Sequence, residues 1–104
     1  GDREPARKLW FEMATSAEHE WLRESGRRGL MQIDAEEHLE MLQPIVNKYP
    51  DRTRRFPATW HELIAGGLLP QGPVDPTGYV YALDPVSGAV DVARGSQLYP
   101  LRRP

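Results

Sequence analysis

The chain contains no cysteine, which removes disulfides, thiolate nucleophiles and cysteine-type zinc sites together and leaves the redox compartment open. No apolar run approaches the roughly eighteen residues of a membrane-spanning helix, and the first residues lack the apolar stretch of a signal peptide. The expectation is a soluble domain with no direct membrane span in this chain and room for an anchor upstream. Its opening of Gly1-Asp2, in place of methionine, fits an excised domain or processed product, with Gly1 a remnant of tag removal. Charge of one sign is also scarce, with a net charge of −2 and a pI near 5.9. Residues 1–50 carry seven basic and ten acidic side chains and residues 51–104 carry six and five, so neither half is a strong electrostatic bait.

The densest basic cluster, Arg52, Arg54 and Arg55, has no basic face or stacking platform to extend it, so no nucleic-acid partner is expected. A nucleic-acid-binding module using these three with Arg102 and Arg103 is a rival reading, and its binding would weaken steeply with salt. A length of 104 residues allows one domain with one core. Seven of the ten prolines fall after position 56, which turns the second half towards loops and keeps the core modest.

Over residues 4–28, Leu9, Trp10, Met13, Ala14, Ala17, Trp21 and Leu22 recur at three- and four-residue steps, predicting one helix with one apolar stripe. Pro5 suits its first turn, and Gly26 and Gly29 offer stop positions. Trp10 and Trp21, eleven residues apart, fall on that stripe and are the candidate interaction residues; they serve core packing or a partner groove. Asp34 with Glu37 has capping-box spacing and predicts a second helix ending near Lys48, kinked or restarted at Pro44. The two helices form an antiparallel hairpin over residues 1–48.

Residues 49–70 read as a loop and a short helix. Thr59 and Glu62 form a capping box, Gly66-Gly67 closes the helix, and Trp60 is a wedge between that helix and a downstream hairpin. In residues 71–104 two alternating runs, 79–83 and 89–93, flank Asp84-Pro85-Val86-Ser87-Gly88, a strong turn, and predict that β-hairpin and an irregular tail. Either Tyr79, Tyr81 and Leu83 or Val80 and Ala82 face inward. Asp75, before Pro-Thr-Gly78, is placed to hold the turn that launches the first strand. The fold class is therefore α+β, a helical hairpin and a short third helix packed on a small antiparallel sheet.

Each histidine stands beside a glutamate, at His19, His38 and His61, which invites a metal. The spacing opposes it: a helical zinc site from His61 needs histidine where Ala65 stands, and a bundle site at His38 needs glutamate where Ala35 stands. Ser16, Ser25, Ser87 and Ser96 occupy no nucleophile elbow, no carboxylate pair is singled out, and no glycine-rich loop opens a helix to hold phosphate. No enzyme activity and no cofactor are expected, with a small metal-binding protein or enzyme built on the His/Glu pairs as the second rival.

From Tyr49 to Leu101 the motifs fall in order: Tyr49-Pro50, Pro57-x-Thr59-Trp60-x-Glu62-Leu63, Gly67-x-Leu69-Pro70, Asp75-Pro76-x-Gly78-x-x-Tyr81, and a turn at Gly88. This order resembles a C-terminal module of bacterial envelope-associated and tetratricopeptide-containing proteins, and is more distantly similar to the globular heads of type II secretion pseudopilins. The resemblance implies a packing module in the bacterial cell envelope, periplasmic or membrane-anchored, that works through a protein partner or self-association. Pseudopilins begin with a long apolar helix, whereas the first helix here is polar over most of its circumference. Some pseudopilin heads hold calcium after this segment, but only Asp84 and Asp91 stand nearby here, short of the roughly six oxygens calcium takes.

Overall fold

The computed structural model describes residues 2–16 and 18–101. It is α+β and mostly helical: α1 (Glu4–Ala14), α2 (Glu20–Lys48), α3 (Pro50–Thr53) and α4 (Trp60–Ala65) precede a two-stranded antiparallel sheet of β1 (Ala82–Leu83) and β2 (Val90–Asp91). Ala17, Arg102 and Arg103 lie outside the described residues.

The first half is a helical hairpin, but its turn is not where the periodicity puts it. The helix expected over residues 4–28 ends at Ala14, and the one expected to start at Asp34 starts at Glu20. Thr15 ends α1 by sending both its amide (3.0 Å) and its hydroxyl (2.9 Å) to the Phe11 carbonyl, the local competition that threonine offers a helix. His19 is extended at φ −139° and leads into α2. Trp10 and Trp21 therefore belong to different helices and share no stripe. Pro44 stops nothing: α2 runs through it to Lys48, held on the core by Leu42 before it and Val46 after it.

Gly26 and Gly29 are not stop positions. Both are buried in α2, where they let α1 approach. A Cβ on Gly26 would stand 2.2 Å from the backbone nitrogen of Ala14, and one on Gly29 would stand 2.1 Å from the Trp10 indole. Below this saddle the antiparallel partner is charged. Arg3 of the α1 N-cap reaches Glu36 at 2.8 Å and also grips Glu40, while Arg7 reaches Asp34 at 3.0 Å and also Glu37. Asp34 and Glu37 are thus ion-pair partners in mid-helix instead of a cap.

The core lies on another face of α2. Ala35, Leu39, Leu42 and Val46 pack with Leu63 of α4 and with Tyr81, Val90, Val92 and Leu98. The Gln43 side chain joins helix to hairpin, donating to the Gly88 carbonyl at 2.7 Å and accepting from the Val90 amide at 3.0 Å. It thereby pairs an edge that would otherwise be open. In the hairpin Ala82 faces Asp91 and Leu83 faces Val90. Its strands are shorter than the alternation suggests, because the Asp84 carboxylate ties down the Val86 amide at 2.8 Å and Gly88 turns at φ +75° against the Phe56 ring. Of the two inward sets, Tyr81 is buried and Leu83 partly so, while Tyr79, Val80 and Ala82 are exposed.

Alanine raises helix propensity over glycine by about 1 kcal/mol, so on propensity alone Gly26→Ala would stabilise α2. A new methyl that meets backbone cannot be relieved by a rotamer change, and overpacking of this kind costs roughly 1–3 kcal/mol. Gly26→Ala is expected to lower the urea midpoint and to alter Trp10 fluorescence. A raised midpoint with unchanged fluorescence would show that α1 does not rest on this saddle.

Candidate functional site

Two regions gather the residues singled out by sequence. The first is a hub in the globule. Thr59, extended at φ −142°, opens α4, and Thr59 and Glu62 form the reciprocal capping box. The Glu62 carboxylate accepts from the Ala58 and Thr59 amides and from Arg55 at 2.5 Å. The Arg55 guanidinium, followed by the two amides, pulls the Glu62 carboxyl down to about 2. Trp60 bridges α4 to the hairpin by donating its indole N–H to the Tyr81 carbonyl at 2.8 Å.

Tyr81 is 2% exposed, and its hydroxyl lies 2.8 Å from Nδ1 of His38 on α2. Burial, then the charges of Asp75 and Asp34, push the phenol well above its ordinary value. The phenol therefore keeps its proton and pairs with the ring nitrogen as a neutral hydroxyl. Asp75 is 3% exposed. Its Oδ1 accepts from the Thr77 amide (2.7 Å), the Thr77 hydroxyl (2.6 Å) and the Tyr79 amide (3.3 Å), and its Oδ2 from the Ser96 hydroxyl (2.6 Å). Burial pushes this carboxyl up, but the hydrogen bonds from Ser96, Thr77 and Tyr79 outweigh it and leave it below its ordinary value. Gly78, at φ +96°, closes the turn by donating to the Asp75 carbonyl at 2.9 Å.

Sequence reasoning missed Ser96 as the partner of Asp75. The two stand twenty-one positions apart, and no local spacing links them. With its hydroxyl donated to Asp75 and accepting from the Leu98 amide at 3.1 Å, Ser96 is committed to structure. These residues organise the globule, and of them His38 and Tyr81 also border a cavity. Between α2 and residues 69–74 runs a groove of about 260 Å³ past His38, Met41, Val74 and Tyr81, below the roughly 300–1,000 Å³ of small-molecule sites. Among the described residues no three His, Asp or Glu side chains are placed to hold a metal. Arg55, from the basic cluster, is engaged by Glu62 and lies 5.9 Å over the Tyr49 ring.

The second region is the helical arm formed by α1 and the N-terminal half of α2. None of the α1 residues is buried. Trp10 is half-buried on the Gly29 saddle, but Leu9 is 56% exposed, Phe11 58% and Trp21 65%. Trp21 stacks on His19, with ring centroids 6.1 Å apart. Phe11 was overlooked because it lies off the stripe, and that was its signal: a large apolar side chain on the polar side of an amphipathic helix. An open trough of about 730 Å³ runs along this flank, with Phe11, Leu30 and Pro5 beside Glu4, Lys8 and Asp34. Apolar residues within a charged rim have the anatomy of a protein interface.

Among the described residues no helix is long and apolar enough to cross a membrane. No protein-family model, curated protein or solved structure matches the chain.

A depressed carboxylate stabilises the fold at pH above its unfolded value and loses that contribution as pH falls through its folded value. Both Glu62 and Asp75 are depressed, from 4.5 and 3.8. Stability is expected to decline from about pH 4.5 towards 2, and Glu62→Gln with Asp75→Asn should flatten that decline. Asn cannot accept from Ser96 through its amide nitrogen, so the second change also costs about 3 kcal/mol at neutral pH. Denaturation across this range checks both, and an unchanged acid slope in the double variant would contradict the assignment.

Proposed function

We propose that the chain is a non-catalytic protein–protein interaction or assembly module that docks through its helical arm. The observation that carries this is the exposure of Leu9, Phe11 and Trp21 on an arm whose outer side no other element covers among the described residues. By contrast, three polar side chains of the globule serve its own structure: Asp75 binds Ser96 and Thr77, His38 binds Tyr81, and Glu62 binds Arg55 and the α4 cap. The resemblance of residues 49–101 to envelope modules supports a bacterial envelope setting and adds assembly as the role.

Exposed positions far from buried networks usually change stability by less than about 0.5 kcal/mol. Phe11→Ser with Trp21→Ser should therefore leave the denaturation curve in place while weakening concentration-dependent association in sedimentation by removing the share carried by the outer surface. A strictly monomeric wild type whose double variant unfolds would make both residues core and would sink the proposal.

A further inference from the structure

The inner side of α1 carries a separate property. Among the described residues α2 is the only element against which α1 packs in more than passing contact, and α1 adds nothing to the core cluster. What holds α1 is nonetheless specific: the glycine saddle under Trp10 and the carboxylates of Asp34, Glu36, Glu37 and Glu40 around Arg3 and Arg7. These contacts would be the same whether α1 came from its own chain or from another copy.

The connection allows either origin. Residues 15–19 read Thr-Ser-Ala-Glu-His, with neither glycine nor proline. Apolar residues continue at helical steps on both sides, from Met13 and Ala14 to Trp21 and Leu22. This is why the sequence reads as one helix where the structure has two. An opened hairpin could continue from α1 into α2 as a single helix without placing a helix breaker.

We infer that the α2 groove at Gly26 and Gly29 is a docking site for the α1 helix of a second copy, so that two chains exchange α1 arms. Exchange replaces each intramolecular contact by its intermolecular equal, so the entropy of association and the connecting segment decide the balance. It is therefore concentration-dependent. This goes beyond the proposed function, because it uses the inner side of the arm instead of Phe11 and Trp21.

Two full-length variants test it, both carrying Phe11→Ser and Trp21→Ser so that outer-surface association is removed. The first adds Arg3→Glu and Arg7→Glu, setting an acidic α1 against the native acidic groove. The second adds Asp34→Lys, Glu36→Lys, Glu37→Lys and Glu40→Lys, setting the native basic α1 against a basic groove. Each chain repels its own arm, but in a mixture both exchanged arms are complementary. Sedimentation should show monomers separately and a doubling of mass on mixing.

Registry is checked by placing Trp10→Cys in the first variant and Gly29→Cys in the second. A Cβ at 29 would stand 2.5 Å from Cγ of Trp10, so the two Cβ atoms lie no more than about 4 Å apart, within the reach of a disulfide. Exchange predicts that mild oxidation yields the mixed 10–29 disulfide well above its statistical share. A mixture that stays monomeric overturns the inference, and so does a dimer that gives only statistical disulfides, since that is charge attraction without exchange. Neither result bears on the outer surface.

Discussion

The packing of Leu39, Leu42 and Val46 against Leu63, Tyr81, Val90, Val92 and Leu98 is the contact on which the rest of the molecule depends. Neither partner is stable alone. A hairpin of two two-residue strands is marginal in water, and α4 is six residues long, far shorter than a helix that stands unaided. α2 supplies both the apolar floor and, through Gln43, the edge pairing that completes the sheet. The loops are then fastened to that assembly by Trp60 on the Tyr81 carbonyl and by Asp75 on Ser96.

Beyond that floor α2 continues as a stem. It is 29 residues long, about 43 Å at 1.5 Å per residue, in a molecule whose longest axis is 53 Å. α1 lies along α2 from Gly26 to Glu40 on a different face from the core, held by a glycine saddle and ion pairs that range from mostly buried at Arg3–Glu36 to half-exposed at Arg7–Asp34. The more exposed of these pairs contribute little each, and α1 buries no residue of its own, so the arm is the weaker part of the fold. A weakly held arm with exposed aromatics is suited to exchanging partners, whereas the globule, with its satisfied buried polar groups, is suited to holding shape.

What was legible in the sequence was what is local. The Thr59–Glu62 cap, the Gly66-Gly67 stop, the turn from Asp84 to Gly88 and the Asp75 turn each span a few residues, and their spacing carries their geometry. The break after Ala14 was not legible, because apolar periodicity continues across it and Thr15 acts through a hydroxyl that could as well have faced solvent. Asp34 and Glu37 have the spacing of a cap and also the spacing of one helix face, and only the arrival of Arg7 from α1 decides between them. Gly26 and Gly29 read as stops until Trp10 and Ala14 are seen lying on them. Trp10 and Trp21 were separated by the same misplaced turn, and Ser96 was invisible because its partner is reached only through the fold.

The division of α2 into a core-bearing face and an α1-bearing face is tested most directly by amide hydrogen exchange on the intact protein. The slowest amides should lie in the α2 segment bearing Leu39, Leu42 and Val46 and around Leu63, Tyr81 and Val90, while those of α1 exchange through a separate opening of lower free energy. If the α1 amides proved as protected as those around Leu42, α1 would be part of the core and the account of the arm would be contradicted.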